Sequence, residues 1–274
     1  MKVWVNGELR DSGDASVAIF DHGLTVGDGV FEAIKVTGGV PFALSRHLRR
    51  LRHSALGLGL GEPDLASIRS GVAQVIEAAG SPALARVRIT VTGGFSPLSS
   101  ERGGGSLTCV VALGELRPSP PVSDVVIAPW SRNERGALTG LKTTSYAENV
   151  RALAYAHERG AAEAIFGNTA ENLCEGTGTN VFVGTGGRLV TPPLTAGCLA
   201  GITRALLLEW VGAEERDLPL GALAQADEAF LTSTTRDVQA IRSVDGRTLP
   251  AAPGPLTSKA AEVFAQRAAE NPDP

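Results

Sequence analysis

Leu141-Lys142-Thr143-Thr144-Ser145-Tyr146 and Cys174-Glu175-Gly176-Thr177-Gly178-Thr179-Asn180-Val181-Phe182 are the two ends of the stretch that decides how this chain reads. A lysine among small hydroxyl residues, at a predicted strand-to-helix junction, can point into a cleft. Such a lysine can serve as a Schiff-base nucleophile. Glu175 opens a Gly/Thr loop, where a carboxylate can partner a cofactor nitrogen. Both residues also have plain readings, since most lysines and most isolated glutamates are simply solvated. The Gly176-x-Gly178 pair is not a dinucleotide fingerprint: the third glycine is absent, and a strand rather than a helix is predicted to follow.

Composition bounds the rest. The chain has 274 residues, enough for one large domain or two moderate ones. Hydrophobic residues make up 43% and charged residues 20%, so a sizeable core is expected and global disorder is not. A net charge of −4 gives no electrostatic case for nucleic acid or an anionic membrane. The three cysteines, Cys109, Cys174 and Cys198, are far apart and form no C-x-x-C pair. Neither a disulfide framework nor a zinc site is expected, and the histidines show no metal-ligand spacing. Polar residues follow Met1 almost at once, and no apolar run reaches the length of a membrane span, so a cytoplasmic protein is expected.

Outward from the central stretch, alternation and turn residues predict a hairpin at Val3-Trp4-Val5/Asn6-Gly7 and a second short strand at Ala18-Ile19-Phe20. Strands over 30–36 and 40–44 flank Thr37-Gly38-Gly39. Ser45 is the expected N-cap of a helix to about residue 56, with Leu48, Leu51 and Ala55 on one face. Asp64 is the expected cap of the next helix, with Ile68, Val72, Val75 and Ile76 inward. Strands follow over 85–91 and 107–113. The first half therefore predicts an α+β unit with a largely antiparallel sheet. The prolines of 117–121 predict an extended linker. Beyond it come strands at 125–128, 164–166, 181–183, 189–190, 228–231 and 238–243. Helices are predicted over 147–158, 201–210 and 256–269, and residues 271–274 are expected to fray.

Three further motifs carry possible chemistry. Gly201-Ile202-Thr203-Arg204 opens an apolar helix, and a helix start presents free N–H groups to an anion; ordinary capping is the plain alternative. Ser233-Thr234-Thr235 is a hydroxyl cluster at a strand end, otherwise a turn. The basic helix Arg46-His47-Leu48-Arg49-Arg50-Leu51-Arg52-His53 reads mainly as a solvated face, with room for one arginine that grips a phosphate.

Together these segments resemble the class IV, or fold-type IV, pyridoxal-phosphate (PLP) aminotransferase family, which includes branched-chain and D-amino-acid aminotransferases and 4-amino-4-deoxychorismate lyase. Asp21-His22-Gly23-Leu24-Thr25-Val26-Gly27-Asp28-Gly29-Val30-Phe31-Glu32 resembles its N-terminal signature, and His47-Leu48-Arg49-Arg50-Leu51 its phosphate-arginine helix. The Lys142, Glu175-to-Phe182, Gly201-to-Arg204 and Ser233-to-Thr235 segments fall in the family's order. The resemblance implies a two-domain α+β fold: a smaller N-terminal α/β domain over 1–116, a linker over 117–121 and a larger C-terminal domain over 122–274, with the PLP site between them. It implies that Lys142 forms the Schiff base with PLP and that Glu175 pairs with the ring nitrogen. Arg50, the backbone of Ile202 and Thr203, and Thr234 would hold the phosphate. Tyr146 would lie near the phenolic oxygen, and Asn180 would support the Glu175 loop. Amino and keto acids are the implied substrates and a homodimer the implied assembly.

The cofactor motifs do not separate transaminase from lyase. Lyases of this family often carry a threonine two residues after the signature phenylalanine, as proton donor. Here Phe31 is followed at that spacing by Ala33, which has no proton to give, so a branched-chain-like aminotransferase is the first reading and deoxychorismate lyase the second. D-amino-acid aminotransferases place an arginine where this chain has Gly93; Arg102, further along, is the candidate substitute for binding a substrate carboxylate. A non-catalytic PLP-fold binding protein is the third reading, against which stand both Lys142 and Glu175.

Overall fold

The computed structural model describes residues 2–274, and these divide into two compact units. Unit 1 comprises 2–117 together with Leu141–Ser145 and Pro272–Pro274; unit 2 comprises Pro118–Gly140 and Tyr146–Asn271. Both mix helix and sheet, and the architecture is α+β.

Unit 1 runs β1 (Lys2–Val5), β2 (Glu8–Asp11), α1 (His22–Thr25), β3 (Gly29–Thr37), β4 (Val40–Pro41), α2 (Leu44–Leu58), α3 (Leu65–Ala78), β5 (Leu84–Thr92) and β6 (Thr108–Glu115). Its six-stranded sheet has the order β2-β1-β6-β5-β3-β4 with antiparallel pairing throughout. Alternation along the strands decides which face is core. Val30, Ile34 and Val36 of β3 and Val87, Ile89 and Val91 of β5 pack with Leu48, Leu51 and Ala55 of α2 and Ile68, Val72, Val75 and Ile76 of α3. The intervening residues Phe31, Ala33 and Lys35 sit opposite Thr90, Arg88 and Arg86 in the register. They therefore belong to the other face.

Unit 2 runs β7 (Val122–Ile127), α4 (Ala147–His157), β8 (Glu163–Gly167), β9 (Leu173–Gly176), β10 (Asn180–Thr185), β11 (Arg188–Thr191), α5 (Ile202–Val211), β12 (Glu214–Glu215), β13 (Glu228–Ser233), β14 (Asp237–Val244), β15 (Arg247–Thr248) and α6 (Pro255–Glu270). Its nine-stranded mixed sheet has the order β12-β11-β10-β13-β14-β7-β8-β9, with β15 on β14. Phe182 of β10 and Phe230 of β13, register partners, stack with centroids 4.9 Å apart. Among the described residues no helix is long and apolar enough to cross a membrane, and no group of three or more His, Cys, Asp or Glu could hold a metal ion.

Three local expectations are corrected. Residues 18–20 form no strand; Ile19 is 74% exposed, and strand propensity without a sheet edge to join is not enough. Ser45 is not the N-cap of α2. Ala43 holds that position with a left-handed φ of 52° and no side-chain cap bond. The cap comes instead from the other end of the chain, which does not fray. The Asp273 carboxylate accepts from Ser45 N at 2.8 Å and Ser45 Oγ at 2.6 Å, and the Pro272 carbonyl accepts from Ala43 N at 2.6 Å. An acidic side chain against the first amides of a helix is favoured by both hydrogen bonding and the helix dipole.

Candidate active site

In unit 1 the site is built on the start of β3. β4 is two residues long and pairs only with Val36 and Thr37, which leaves the N-terminal half of β3 open on that side. The 141–145 segment fills the gap. Phe31 N donates to Lys142 O at 3.0 Å, Thr144 N donates to Gly29 O at 2.8 Å, and Lys142 N donates to Ser54 Oγ at 3.0 Å. The hydroxyls of Thr144 and Ser145 both donate to Gly27 O, at 2.9 and 3.1 Å. The small hydroxyl residues around Lys142 are thus tethers that fix its backbone. Its Nζ lies 4.3 Å from the Phe31 ring centroid. The guanidinium of Arg88 lies 3.9 Å from the same ring. Arg88 is the register partner of Ala33, so Phe31, Ala33, Arg88 and Lys142 form one neighbourhood. The sequence reading missed Arg88. Its signal was the alternation Arg86-Val87-Arg88-Ile89-Thr90-Val91, in which the even positions turn away from the core.

Glu32 points the opposite way, into the core, where it is fully buried. Arg50 donates to it twice, from Nε at 2.8 Å and Nη2 at 2.7 Å, and His47 Nδ1 lies 2.7 Å from Oε2. Burial by itself raises a carboxyl pKa. Here the charge and hydrogen bonds of Arg50, aided by His47, outweigh burial and bring Glu32 down to about 2. The same burial lowers the pKa of His47, although Glu32 opposes that shift. Glu32 of β3 and His47 of α2 thus form a bracket that orients Arg50.

Arg102 is placed elsewhere. It donates to both oxygens of Asp28, at 2.7 and 2.6 Å, and to the carbonyls of Leu58 and Gly59 at the end of α2. Asp28 also faces His22 Nδ1 at 2.9 Å, while His22 Nε2 faces the Ser99 carbonyl at 2.8 Å. Both His22 nitrogens meet acceptors, the arrangement an imidazolium satisfies, and its pKa is accordingly raised by Asp28 and by the Ser99 carbonyl.

In unit 2 the Glu175 carboxylate is held by Leu199 N at 2.9 Å and lies 3.4 Å from Arg132 Nε. Asn180 Nδ2 donates to the carbonyl of the same Leu199 at 2.9 Å. Gly201, the N-cap of α5, packs so closely on Asn180 that a Cβ would collide with its Oδ1. Glu175, Asn180 and the start of α5 are therefore one assembly, with the 198–201 segment as its spine. Ile202 and Thr203 are the first helical residues of α5, whose opening amides have no intrahelical acceptor. Thr234 lies in the turn between β13 and β14, and Tyr146 is the N-cap residue of α4. Burial raises the pKa of all three thiols, Cys109 and Cys198 to about 12, so none is a ready nucleophile.

The sequence matches the amino-transferase class IV family over residues 29–244. The chain is a class IV aminotransferase. It is similar to a D-alanine aminotransferase from Bacillus licheniformis, at 32% identity over 94% of this chain and 93% of the relative. It is also similar to the solved branched-chain aminotransferase of Thermoproteus uzoniensis with norvaline, with a TM-score of 0.91, 29% identity, and coverage of 97% of this chain and 94% of that one. A PLP-bound aminotransferase structure from Mycobacterium tuberculosis aligns with a TM-score of 0.86 at 26% identity, over 97% of this chain and 98% of that one. Class IV aminotransferases are PLP-dependent, and this one transfers amino groups with that cofactor. The residues present suit it. Unit 1 supplies an amine on a tethered backbone. Unit 2 supplies a carboxylate acceptor, a helix start kept clear by Gly201 and a hydroxyl-rich turn.

Proposed function

We propose that this enzyme moves the amino group of an apolar, branched-chain-like amino acid to a 2-keto acid, with Lys142 as the catalytic residue. The carrying observation is the Phe31 ring shared by Lys142 and Arg88. The ring brings an amine and a fixed guanidinium into one neighbourhood, which suits a nucleophile and base beside a carboxylate anchor. Lys142 Nζ takes the α-proton of the amino acid and holds it for return. Arg88 offers a fixed cation for the substrate carboxylate. Ala33 and Phe31 leave an apolar surface beside it. PLP, when bound, supplies the electron sink. Glu175 would hold a proton on the ring nitrogen, and Asn180 steadies the segment that holds Glu175. Thr234, Arg50 and the amides of Ile202 and Thr203 would hold the phosphate, and Tyr146 would lie toward the phenolic oxygen. Arg102 already serves Asp28 and α2, which makes it a poor carboxylate anchor.

We further propose a homodimer. Ile19, Leu24, Phe95 and Leu98 are 63–74% exposed on two segments of unit 1, 19–24 and 95–98, that are stitched by Ser96 N to Phe20 O at 3.1 Å. So many large apolar side chains on adjoining segments suit a protein interface. A reducing, cytoplasmic location agrees with three free cysteines.

A donor screen tests the substrate reading. Leucine, isoleucine or valine should convert the cofactor to its aminated form, with Lys142→Ala inactive. Pyruvate release from aminodeoxychorismate with no amino-acid half-reaction would establish the lyase instead. Light scattering on Ile19→Glu/Leu98→Asp should give a monomer if the two segments form the dimer contact.

A further inference from the structure

We infer that Glu163 and Arg236 are a positioning pair. They lock the loop after Glu175 to the turn that carries Thr234, so that these two of the proposed cofactor contacts of unit 2 are set as one piece. Glu163 is the first residue of β8 and is fully buried. Its Oε1 accepts from Thr177 N at 3.0 Å and from Thr177 Oγ1. Its Oε2 faces Thr179 Oγ1 at 3.5 Å and Arg236 Nη2 at 3.0 Å. One carboxylate therefore grips 177–179 on one side and the β13–β14 turn on the other.

Each end is braced. Arg236 N donates to Ser233 Oγ at 3.2 Å, which closes the turn around Thr234 and Thr235, and its Nη1 donates to Gln239 Oε1 at 3.1 Å. Gln239 is itself buried and donates to Pro120 O at 2.7 Å. On the other side, Gly176 packs so closely that a Cβ would collide with Thr179 Oγ1. The loop after Glu175 thus has one way to sit on Glu163. A buried carboxylate is costly unless paired and fully hydrogen-bonded. Among the described residues, the side-chain partners of Glu163 come from those two segments. Among the described partners Arg236 carries the charge that offsets that of Glu163, and it sits in the Thr234 turn.

This inference rests on the reading of Thr234 as a phosphate contact. If the pair positions that turn, its loss should weaken binding at the phosphate end of the ligand more than at the ring end. Cofactor-free protein is titrated with PLP and with pyridoxal, which lacks the phosphate, and each dissociation constant is read by absorbance. Arg236→Ala should weaken PLP binding about tenfold, the scale of one well-placed hydrogen bond, and pyridoxal binding by less than about twofold. Arg236→Lys should restore part of the loss. Glu163→Gln should weaken both ligands, because it releases 177–179 as well; if that variant does not fold, the partly exposed Arg236 still carries the test. Thr234→Val separates the premises. If it shifts the PLP-to-pyridoxal ratio and Arg236→Ala does not, the positioning pair is wrong. If neither shifts it, the phosphate role of Thr234 falls and the inference with it.

Discussion

Glu32 and Glu175 are both carboxylates beside segments of the active site, and they are held in opposite ways. Glu32 is completely buried and saturated by Arg50 and His47. The side chain of Glu175 keeps 13% exposure, is fixed by the Leu199 amide, and has Arg132 at 3.4 Å. The first arrangement suits a bracket: a charge locked in low dielectric orients its partners and cannot be reached. The second suits a ligand contact, aimed by the backbone and only partly sealed. The difference teaches that an acidic residue inside a signature need not be chemical, since Glu32 within the N-terminal motif does its work on α2.

The sharpest way to break this contrast is substitution by glutamine at each site. Glu175→Gln should lower kcat by about 10² to 10³, the range for removing one electrostatic contact to developing charge. Its urea midpoint should stay near that of the parent. A kinetically silent variant would return Glu175 to the structural class. Glu32→Gln should do the reverse, losing about 3–5 kcal/mol of stability because Arg50 is left as an uncompensated buried charge. Chemical denaturation reads this directly, and an unchanged midpoint would contradict the bracket.

A smaller effect lies in pH. The folded pKa of Glu32, about 2, lies below its ordinary value of 4.5. Its stabilisation is therefore complete above about 4.5 and is lost as the pH falls toward 2. Urea titrations between pH 6 and 3 should show this acid limb in the parent and a flatter one in Glu32→Gln. The smallest effect concerns His22, whose raised pKa has the opposite sign. Its contribution is full below 6.5 and fades as the pH rises through the raised value. Amide exchange around Ser99 should accelerate on that basic side, and His22→Gln should remove the pH dependence.

Much of the candidate site could be named from the sequence because its parts are local. Lys142 with its hydroxyl neighbours, Glu175 before a Gly/Thr loop and the Gly-Ile-Thr helix start each carry their signal within a few residues. The fold class was legible for the same reason, from period-two strands and capped helices. Failures came where the partner is distant. Ser45 has the chemistry of an N-cap, yet Asp273, 228 residues away, caps it instead. Ala18-Ile19-Phe20 has strand propensity and no edge to join. Arg88 looks like any solvated strand arginine until the register sets it opposite Ala33 and above Phe31.

The sequence by itself determined the residue types for the chemistry and the periodicity of each element, since side-chain chemistry and backbone preference are properties of neighbouring residues. Tertiary structure decided which charges are sealed and which are offered. It paired Arg50 with Glu32, Arg236 with Glu163 and Lys142 with the Phe31 ring. The physical reason is that burial and register come only from long-range packing, and those two quantities turn identical carboxylates into a sealed bracket in one place and a partly exposed, backbone-aimed group in another.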